Sequence, residues 1–116
     1  MKYLSSHEWL KQNGNLAKIG ISAFAAEELG DIVFVDLPEV GDEVIANETF
    51  AEIESVKAVS EVNSPVSGTV VAVNEAVVDS PESVNEDALE AWFIEVEVTE
   101  VSDKLLTEDE YQASIE

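Results

Sequence analysis

The chain has 116 residues, no cysteine, and a formal net charge of −21 that arises from 26 acids against five lysines. This balance argues against binding DNA, RNA or anionic membranes through their phosphates, since such binding needs clustered Lys and Arg. The lack of cysteine excludes disulfides and thiolate metal sites, and a single histidine without zinc-type spacing argues against a histidine metal site.

Length and composition predict one domain over residues 1–116. The apolar fraction of 46% is normal for a globular protein, so the high charge does not indicate disorder. No apolar run approaches the roughly 20 residues of a membrane span, and the N-terminus lacks a basic and apolar signal segment. We expect a cytoplasmic protein by default, although a processed organellar protein would look the same.

The first predicted element is a β-hairpin. The strands Tyr3–Lys11 and Leu16–Ile21 flank Asn13-Gly-Asn15, which is a strong turn signal. Within the first strand, Ser6-His-Glu-Trp9 contains a serine, a histidine and an acid, the residue types of a catalytic triad. Adjacent strand residues point to opposite faces, so these three side chains cannot converge as a triad. We expect His7 to be a half-exposed strand residue.

The middle of the chain predicts a helix followed by short strands. A helix is predicted over Ser22–Gly30, since Ser22 can cap the first free amides and Gly30 suits the left-handed residue after the end. The apolar, β-branched run Ile32–Leu37 predicts a core strand. Closely spaced strands follow, which is typical of a sandwich or flattened barrel; they are Val44–Ala46, Phe50–Ser55, Ala58–Asn63 and Thr69–Val73.

Three features are predicted in the last third of the chain. The acidic stretch Asp79–Leu89 predicts one loose helical turn, with solvated acids favoured over a calcium site. Alternation from Trp92 to Val98 predicts the last strand, with the Trp92 side chain in the core. Thr107-Glu-Asp-Glu110 matches a capping box and predicts a C-terminal helix that runs to Ile115.

Lys57 is the only cation between Lys18 and Lys104. It lies in the alternating run Phe50–Asn63, which is long against a usual strand of about 5–6 residues. A hairpin with Val56 and Lys57 at its tip is therefore predicted, although valine is a poor turn residue and the turn has no Gly or Asn. On position alone, the simplest interpretation of Lys57 is a solvated charge.

The surroundings of Lys57 change that interpretation. Glycine turns at Gly41 and Gly68 flank the lysine, and a strand-like run follows each of them. This layout resembles the lipoyl- and biotinyl-carrier domains, which present one modified lysine on a hairpin tip. Glu54-Ser-Val-Lys-Ala58 resembles the lipoylation motif of the glycine cleavage system H-protein family, and so do the segments Gly30–Gly41, Ser64–Gly68 and Ser6–Trp9. Biotin carriers usually flank their lysine with methionines, which this chain does not.

The resemblance extends from Ser6 to Tyr111 and implies both a fold and a site. The fold would be the lipoyl hammerhead, a mainly β flattened barrel or sandwich, with short helices near residues 22–30 and at the C-terminus. Lys57 would carry lipoic acid in amide linkage, with Glu54 as part of the attachment motif. The chain would then be a cofactor carrier and not an enzyme, because the cofactor holds the chemistry.

The resemblance also implies partners and a cleft for the arm. The glycine decarboxylase component would load an aminomethyl group, the aminomethyltransferase component would remove it, and dihydrolipoyl dehydrogenase would reoxidise the dithiol. A lipoyl or octanoyl transferase or a lipoate ligase would install the cofactor. In the family, a serine and an acid from the N-terminal segment line the arm's cleft, as does an acid after the lysine; here these are Ser6, Glu8 and Glu61. We expect Glu8 at the surface, where its replacement would barely affect folding.

One segment departs from the family pattern. The family usually has Asn-x-x-Pro-Tyr-Gly-x-Gly-Trp, whereas this chain reads Asn85-Glu-Asp-Ala-Leu-Glu-Ala-Trp92, without the proline, tyrosine and glycines. Ala88–Ala91 favours a helical turn instead, so we expect local reshaping. Two alternatives stay open: an H-like variant that relays lipoate or serves an ADP-ribosylation-linked stress system, and an acidic interaction protein without cofactor. The second explains the charge but not the ordered motifs.

Overall fold

The computed structural model describes residues 1–115, which form ten strands and four short helices. The strands are β1 (Lys2–Tyr3), β2 (Glu8–Asn13), β3 (Leu16–Ile21), β4 (Ile32–Asp36), β5 (Glu43–Val44), β6 (Thr49–Ser55), β7 (Val59–Asn63), β8 (Val66–Val73), β9 (Ile94–Val101) and β10 (Leu106–Thr107). The helices are α1 (Ala23–Leu29), α2 (Glu75–Asp79), α3 (Ser83–Glu86) and α4 (Glu108–Ser114). None of these helices has the length and apolar character needed to cross a membrane. Glu116, the last residue of the predicted domain, lies outside the described residues.

The strands form two antiparallel sheets that share one core. The larger sheet has seven strands in the order β10-β1-β2-β3-β9-β8-β5, and the smaller has three in the order β4-β6-β7. Ile19 and Ile94 from the larger sheet meet Ile53 and Val62 from the smaller one in a single hydrophobic cluster. These side chains are at most 1% exposed. The prediction of a mainly β sandwich with short helices is confirmed.

In the first half of the chain, the predicted hairpin and the predicted helix are both present in the structure. β2 and β3 pair antiparallel as the predicted hairpin, although its first strand begins only at Glu8, because residues 4–7 leave the strand predicted over Tyr3–Lys11. Ser22 caps α1 by accepting a hydrogen bond from the Ala25 amide, as predicted. Gly30 follows the helix with a φ of 77°, a conformation that glycine adopts without steric cost. Both ends of α1 are therefore fixed by local sequence.

The prediction that Ile32–Leu37 is a core strand is only half correct. Ile32 and Val35 are buried, but Val33 and Phe34 are 53% and 51% exposed. β4 is the edge strand of the smaller sheet, and its register with β6 shifts between Ile32 and Phe34. An edge strand with such an irregularity leaves part of its apolar run uncovered, which periodicity does not reveal.

The segment between β8 and β9 contains more helix than predicted. α2 was not expected; the Asn74 side chain caps it by accepting a hydrogen bond from the Ala76 amide. α3 accounts for the predicted loose turn, since it lies within Asp79–Leu89. The helical turn expected at residues 88–91 is confirmed, because the Ala91 amide donates to the Asp87 carbonyl at 3.0 Å.

Trp92 does not anchor the last strand in the main core, so that prediction is wrong. Phe93 occupies the core and is fully buried, whereas Trp92 is half-buried at the edge of a second cluster. β9 begins only at Ile94, so the alternation does not extend back to Trp92. The Lys18 ammonium lies 5.0 Å from the Trp92 ring centroid, which is cation–π geometry.

The second cluster attaches the C-terminal helix to the larger sheet. It consists of Tyr3, Trp9 and Tyr111, which are each at most 3% exposed. The rings of Tyr3 and Tyr111 stack at a centroid distance of 4.2 Å. α4 begins at the predicted capping box, in which Thr107 and Glu110 exchange both hydrogen bonds. The helix therefore has a local start signal and a long-range attachment.

Candidate functional site: the Lys57 hairpin and an acidic cleft

Lys57 lies in the turn between β6 and β7, and its side chain is exposed. The predicted position at the hairpin tip is confirmed. Ser55 stabilises this turn in the absence of Gly or Asn: its hydroxyl accepts from the amides of Lys57 at 3.3 Å and of Ala58 at 3.1 Å. The Ser55 amide also donates to the Ala58 carbonyl at 2.8 Å. Ser55 is a residue whose role the sequence reasoning missed, although serine often forms such side-chain turns.

The Lys57 side chain lies against the end of α1. A Cβ atom added to Gly30 would be 3.4 Å from Lys57 Cε and 3.9 Å from its Nζ. The Asn85 side chain fixes this loop, since its amide group donates to the Gly30 carbonyl at 2.8 Å and its oxygen accepts from the Ile32 amide at 2.9 Å. Asn85, the first residue of the atypical 85–92 segment, therefore stabilises the loop that the Lys57 side chain contacts.

A cleft of about 160 Å³ lies between the N-terminal segment, α1 and β7, and Lys57 is not one of its lining residues. Ser6, Glu8 and Glu61 all line it, as the family resemblance implied. Glu28 and Leu29 also line the cleft, and they directly precede Gly30, the residue that the Lys57 side chain contacts. One wall of the cleft therefore ends at the chain neighbour of the residue that the lysine contacts. Larger cavities of about 390 and 340 Å³ lie elsewhere, but they do not include Ser6, Glu8 or Glu61.

Glu8 is only 1% exposed, so the expectation of a surface residue is wrong. One carboxylate oxygen accepts from the Asn63 amide at 2.7 Å, and the other accepts from the Ser6 hydroxyl. Burial raises the pKa of the Glu8 carboxyl, while the hydrogen bonds from Asn63 and Ser6 act in the opposite direction. Glu8 therefore connects the N-terminal segment to the end of β7, besides facing the cleft.

His7 is not the strand residue that we expected. It lies in a bend before β2 with a φ of 84°, and it is half-buried. Its Nδ1 atom is 2.7 Å from the Tyr111 hydroxyl, whereas Ser6 and Glu8 hydrogen bond to each other. The three side chains do not form a triad, as predicted. Burial lowers the pKa of His7, and the negative charge of Glu28 opposes that shift.

The outer face of the lysine hairpin is acidic. Asp36, Glu52 and Glu61 lie directly opposite one another across β4, β6 and β7. Glu54 lies outside the cleft on the exposed hairpin, where its register partners are Phe34 and Val59. Like charges directly opposite each other are destabilising, so this row is not explained by sheet stability. Within residues 1–115, no group of acids or histidine has the arrangement to hold a metal ion.

Comparisons with known proteins agree with this geometry. The sequence model of the family "Glycine cleavage H-protein" matches residues 1–116. The glycine cleavage system H protein of Treponema denticola is 53% identical over 112 residues, which cover 97% of this chain and 92% of that protein. The one from Halalkalibacterium halodurans is 55% identical over 118 residues, covering 99% and 92%.

A solved structure is similar as well. The crystal structure of a glycine cleavage system H protein from Mycobacterium marinum matches with a TM-score of 0.92 at 41% identity, over 98% of this chain and 94% of that one. Fold, length and sequence thus agree. The chain belongs to the glycine cleavage H-protein family, whose members are lipoyl carriers of the glycine cleavage system and not themselves enzymes.

Proposed function

We propose that Lys57 carries lipoic acid in amide linkage and that the chain shuttles an aminomethyl group on this arm between the enzymes of glycine cleavage. One observation carries the proposal: the exposed lysine at the hairpin tip contacts Gly30, which directly follows Leu29 in the wall of an acid-lined cleft. The attached group would supply the dithiol–disulfide chemistry, while the protein positions and shields it.

The lysine hairpin fits an attachment site. An unmodified lysine is protonated at neutral pH and is a poor nucleophile, so an enzyme must acylate it. The exposed tip leaves room for a lipoyl or octanoyl transferase or a lipoate ligase. Such an enzyme would find Glu54 on the same exposed face, with the apolar side chains of Phe34 and Val59 beside it. These contacts support Glu54 as part of the recognised motif.

The cleft fits an arm that ends in an amine. Glu61 is exposed, Glu8 is buried, and Ser6 hydrogen bonds to Glu8. An ammonium group in the cleft would have the buried Glu8 carboxylate near it, with the exposed acids Glu28 and Glu61 among the other lining residues. Since burial raises the pKa of Glu8, a nearby cation would favour the ionised form of that carboxyl, and the two charges would stabilise each other.

The partners would approach the same acidic face. The proposal assigns loading to the glycine decarboxylase component, removal to the aminomethyltransferase component and reoxidation to dihydrolipoyl dehydrogenase. A net charge of −21 would accelerate the association with basic docking surfaces. The row of Asp36, Glu52 and Glu61 beside the hairpin would concentrate that field near the arm.

The test is intact-mass analysis after co-expression with a lipoate ligase. Wild type should gain one lipoyl or octanoyl group, and Lys57→Arg should gain none. Lys104→Arg is the matched control, since Lys104 is also exposed but lies far along the chain, and it should be modified normally. Modification that survives Lys57→Arg, or a second modified site, would overturn the assignment.

A second candidate, an H-like carrier that relays lipoate or serves an ADP-ribosylation-linked system, is favoured by the atypical segment. Residues 85–89 border a cavity of about 390 Å³ beside α1, and Leu89 is 43% exposed there. If partners dock on this region, the lipoylated chain should work poorly with an ordinary glycine decarboxylase component. Glycine–bicarbonate exchange tests this: full activity supports the first candidate, and negligible activity despite complete lipoylation supports the second.

A further inference from the structure

The hydroxyl of Tyr111 joins three separate parts of the chain. It belongs to the C-terminal helix α4, and the residue is 1% exposed. The oxygen lies 2.7 Å from Nδ1 of His7 in the N-terminal segment and 2.6 Å from the Ser22 hydroxyl at the start of α1. A third contact closes the arrangement, since the Ser22 amide donates to the His7 carbonyl at 2.8 Å.

The two residues that hydrogen bond to the Tyr111 hydroxyl are each connected to a wall of the cleft. His7 lines the cleft itself, between its neighbours Ser6 and Glu8. Ser22 caps α1, and the Ala25 and Leu29 side chains of that helix form another wall. Tyr111 is not among the lining residues. Its hydroxyl therefore connects two walls of the cleft without lining the cleft itself.

The hydrogen bonds have one consistent direction. The Ala25 amide donates to Ser22 Oγ at 3.1 Å, which leaves the Ser22 proton free to be donated to Tyr111. Burial lowers the pKa of His7, so its ring is neutral at neutral pH and Nδ1 can accept the Tyr111 proton. The donors then run from Ala25 through Ser22 and Tyr111 to His7. Cooperative chains of this kind are stiffer than isolated bonds.

We propose that Tyr111 is a positioning residue for the arm: its hydroxyl holds the His7 bend and the start of α1 at a fixed separation, and thereby keeps the cleft closed around its cargo. The proposal rests on the proposed function, because the cleft must shelter the arm. It assigns to the C-terminal helix a role in protecting the carried group that goes beyond packing.

The chain offers a matched control in Tyr3. Its ring stacks on Tyr111 and is 3% exposed, so both tyrosines occupy the same cluster. Within the described part of the chain, however, the Tyr3 hydroxyl hydrogen bonds only to the Met1 sulfur, at 3.5 Å, and to neither wall of the cleft. Tyr111→Phe and Tyr3→Phe each remove one hydroxyl and keep the stacked ring. Any difference between the two variants therefore reports the hydrogen bonds from Tyr111 to His7 and Ser22.

The first readout needs no cofactor. Amide hydrogen exchange of the unmodified protein, followed by NMR, should accelerate about tenfold at His7, Ser22 and Ala25 in Tyr111→Phe, since the hydrogen bonds lost are of that order. Tyr3→Phe should leave these amides at wild-type rates. Equal exchange in the two variants, or an increase spread evenly over the chain, would overturn the proposal.

The second readout uses the lipoylated protein whose reduced arm has been loaded with formaldehyde and ammonia. Water then breaks the C–S and C–N bonds of the aminomethyl group and releases formaldehyde, ammonia and the free thiol. The release of formaldehyde should be several-fold faster in Tyr111→Phe than in Tyr3→Phe or wild type. Unchanged release despite faster amide exchange would overturn the positioning role.

Two further points keep the test decisive. If Tyr111→Phe does not fold, His7→Gly removes the same contact from the other side, because glycine adopts the φ of 84° without steric cost and has no side chain to reach Tyr111. It should produce the same local pattern of exchange. If lipoate does not attach to Lys57, the proposed function fails, yet amide exchange still decides whether Tyr111 holds the two walls.

Discussion

The tip of the β6–β7 hairpin and the Ser6–Glu8 segment lie on two sides of the candidate site and differ in how far along the chain their side chains find partners. At the tip, the Ser55 hydroxyl bonds within residues 55–58, and one longer-range bond joins the Val56 amide to the Asp31 carbonyl at 3.0 Å. The Ser6–Glu8 segment depends on partners far away in sequence, since Glu8 bonds to Asn63 and His7 to Tyr111. A lysine that is proposed to enter the active site of a modifying enzyme can be presented by a short turn. A wall that must keep a cleft in shape needs support from the rest of the fold.

The largest expected effect is on the Ser6–Glu8 segment, in which Glu8 is buried. Glu8→Ala takes the acceptor from the half-buried Asn63 amide and from the hydroxyl of the exposed Ser6, and the loss of hydrogen bonds to a buried carboxylate typically costs about 1–3 kcal/mol. Urea denaturation measures the change in the free energy of unfolding. Glu61→Ala is the control: Glu61 lines the same cleft but is exposed, so its loss should stay within about 0.5 kcal/mol. Equal changes in the free energy of unfolding would show that Glu8 stabilises the fold no more than Glu61 does.

A smaller and more local effect is expected at the tip. Ser55→Ala removes the hydroxyl that accepts from the Lys57 and Ala58 amides, with a cost of about 1 kcal/mol. The modifying enzyme should then lipoylate the protein more slowly, while the melting temperature falls by a few degrees. Ser60→Ala is the control, because among residues 1–115 the Ser60 hydroxyl makes a single bond, at 3.4 Å, to the neighbouring Glu61 carbonyl. Unaltered lipoylation of Ser55→Ala would show that the turn does not need its serine.

The smallest effect is a dependence of stability on pH through His7. The folded pKa of His7 is lowered below the ordinary 6.5, so the unfolded chain takes up this proton at a higher pH than the folded chain. Stability is therefore lost as the pH falls below that value. Glu28 of α1 and the Tyr111 hydroxyl of α4 face the ring.

Glu8 gives the opposite trend at acidic pH, because its pKa is raised: folding then gains stability as the pH falls towards the ordinary carboxyl range. The histidine contribution is consequently the difference between wild type and His7→Asn. Urea midpoints at pH 7.5 and 5.5 should fall more in wild type than in the variant. Identical falls would show that His7 takes no part.

What the sequence could predict follows the same division between local and distant contacts. The hairpin tip, the α1 cap at Ser22 and the capping box at Thr107 were predictable, because each depends on residues a few positions apart. The exposure of Val33 and Phe34 was not, since it depends on β4 being an edge strand.

For the cleft, the sequence predicted only which residues line it, because Ser6, Glu8 and Glu61 resemble family positions. The burial of Glu8 was not predictable, because it depends on how the N-terminal segment packs on the end of β7. The role of Tyr111 could not be anticipated either, since its partners lie at the other end of the chain. Periodicity reports which face of an element is apolar, and not which distant element covers a polar side chain.

The central claim is that an arm on Lys57 lies in the cleft when it is loaded. Isotope-filtered NOE spectra of lipoylated, aminomethyl-loaded protein test it most directly, because they detect protons of the arm that lie close to protein methyl groups. The account predicts contacts from the arm to the methyl groups of Leu29 and Val62, both of which line the cleft. An arm on Lys57 that shows no such contacts when loaded, or an arm on another lysine, would contradict it.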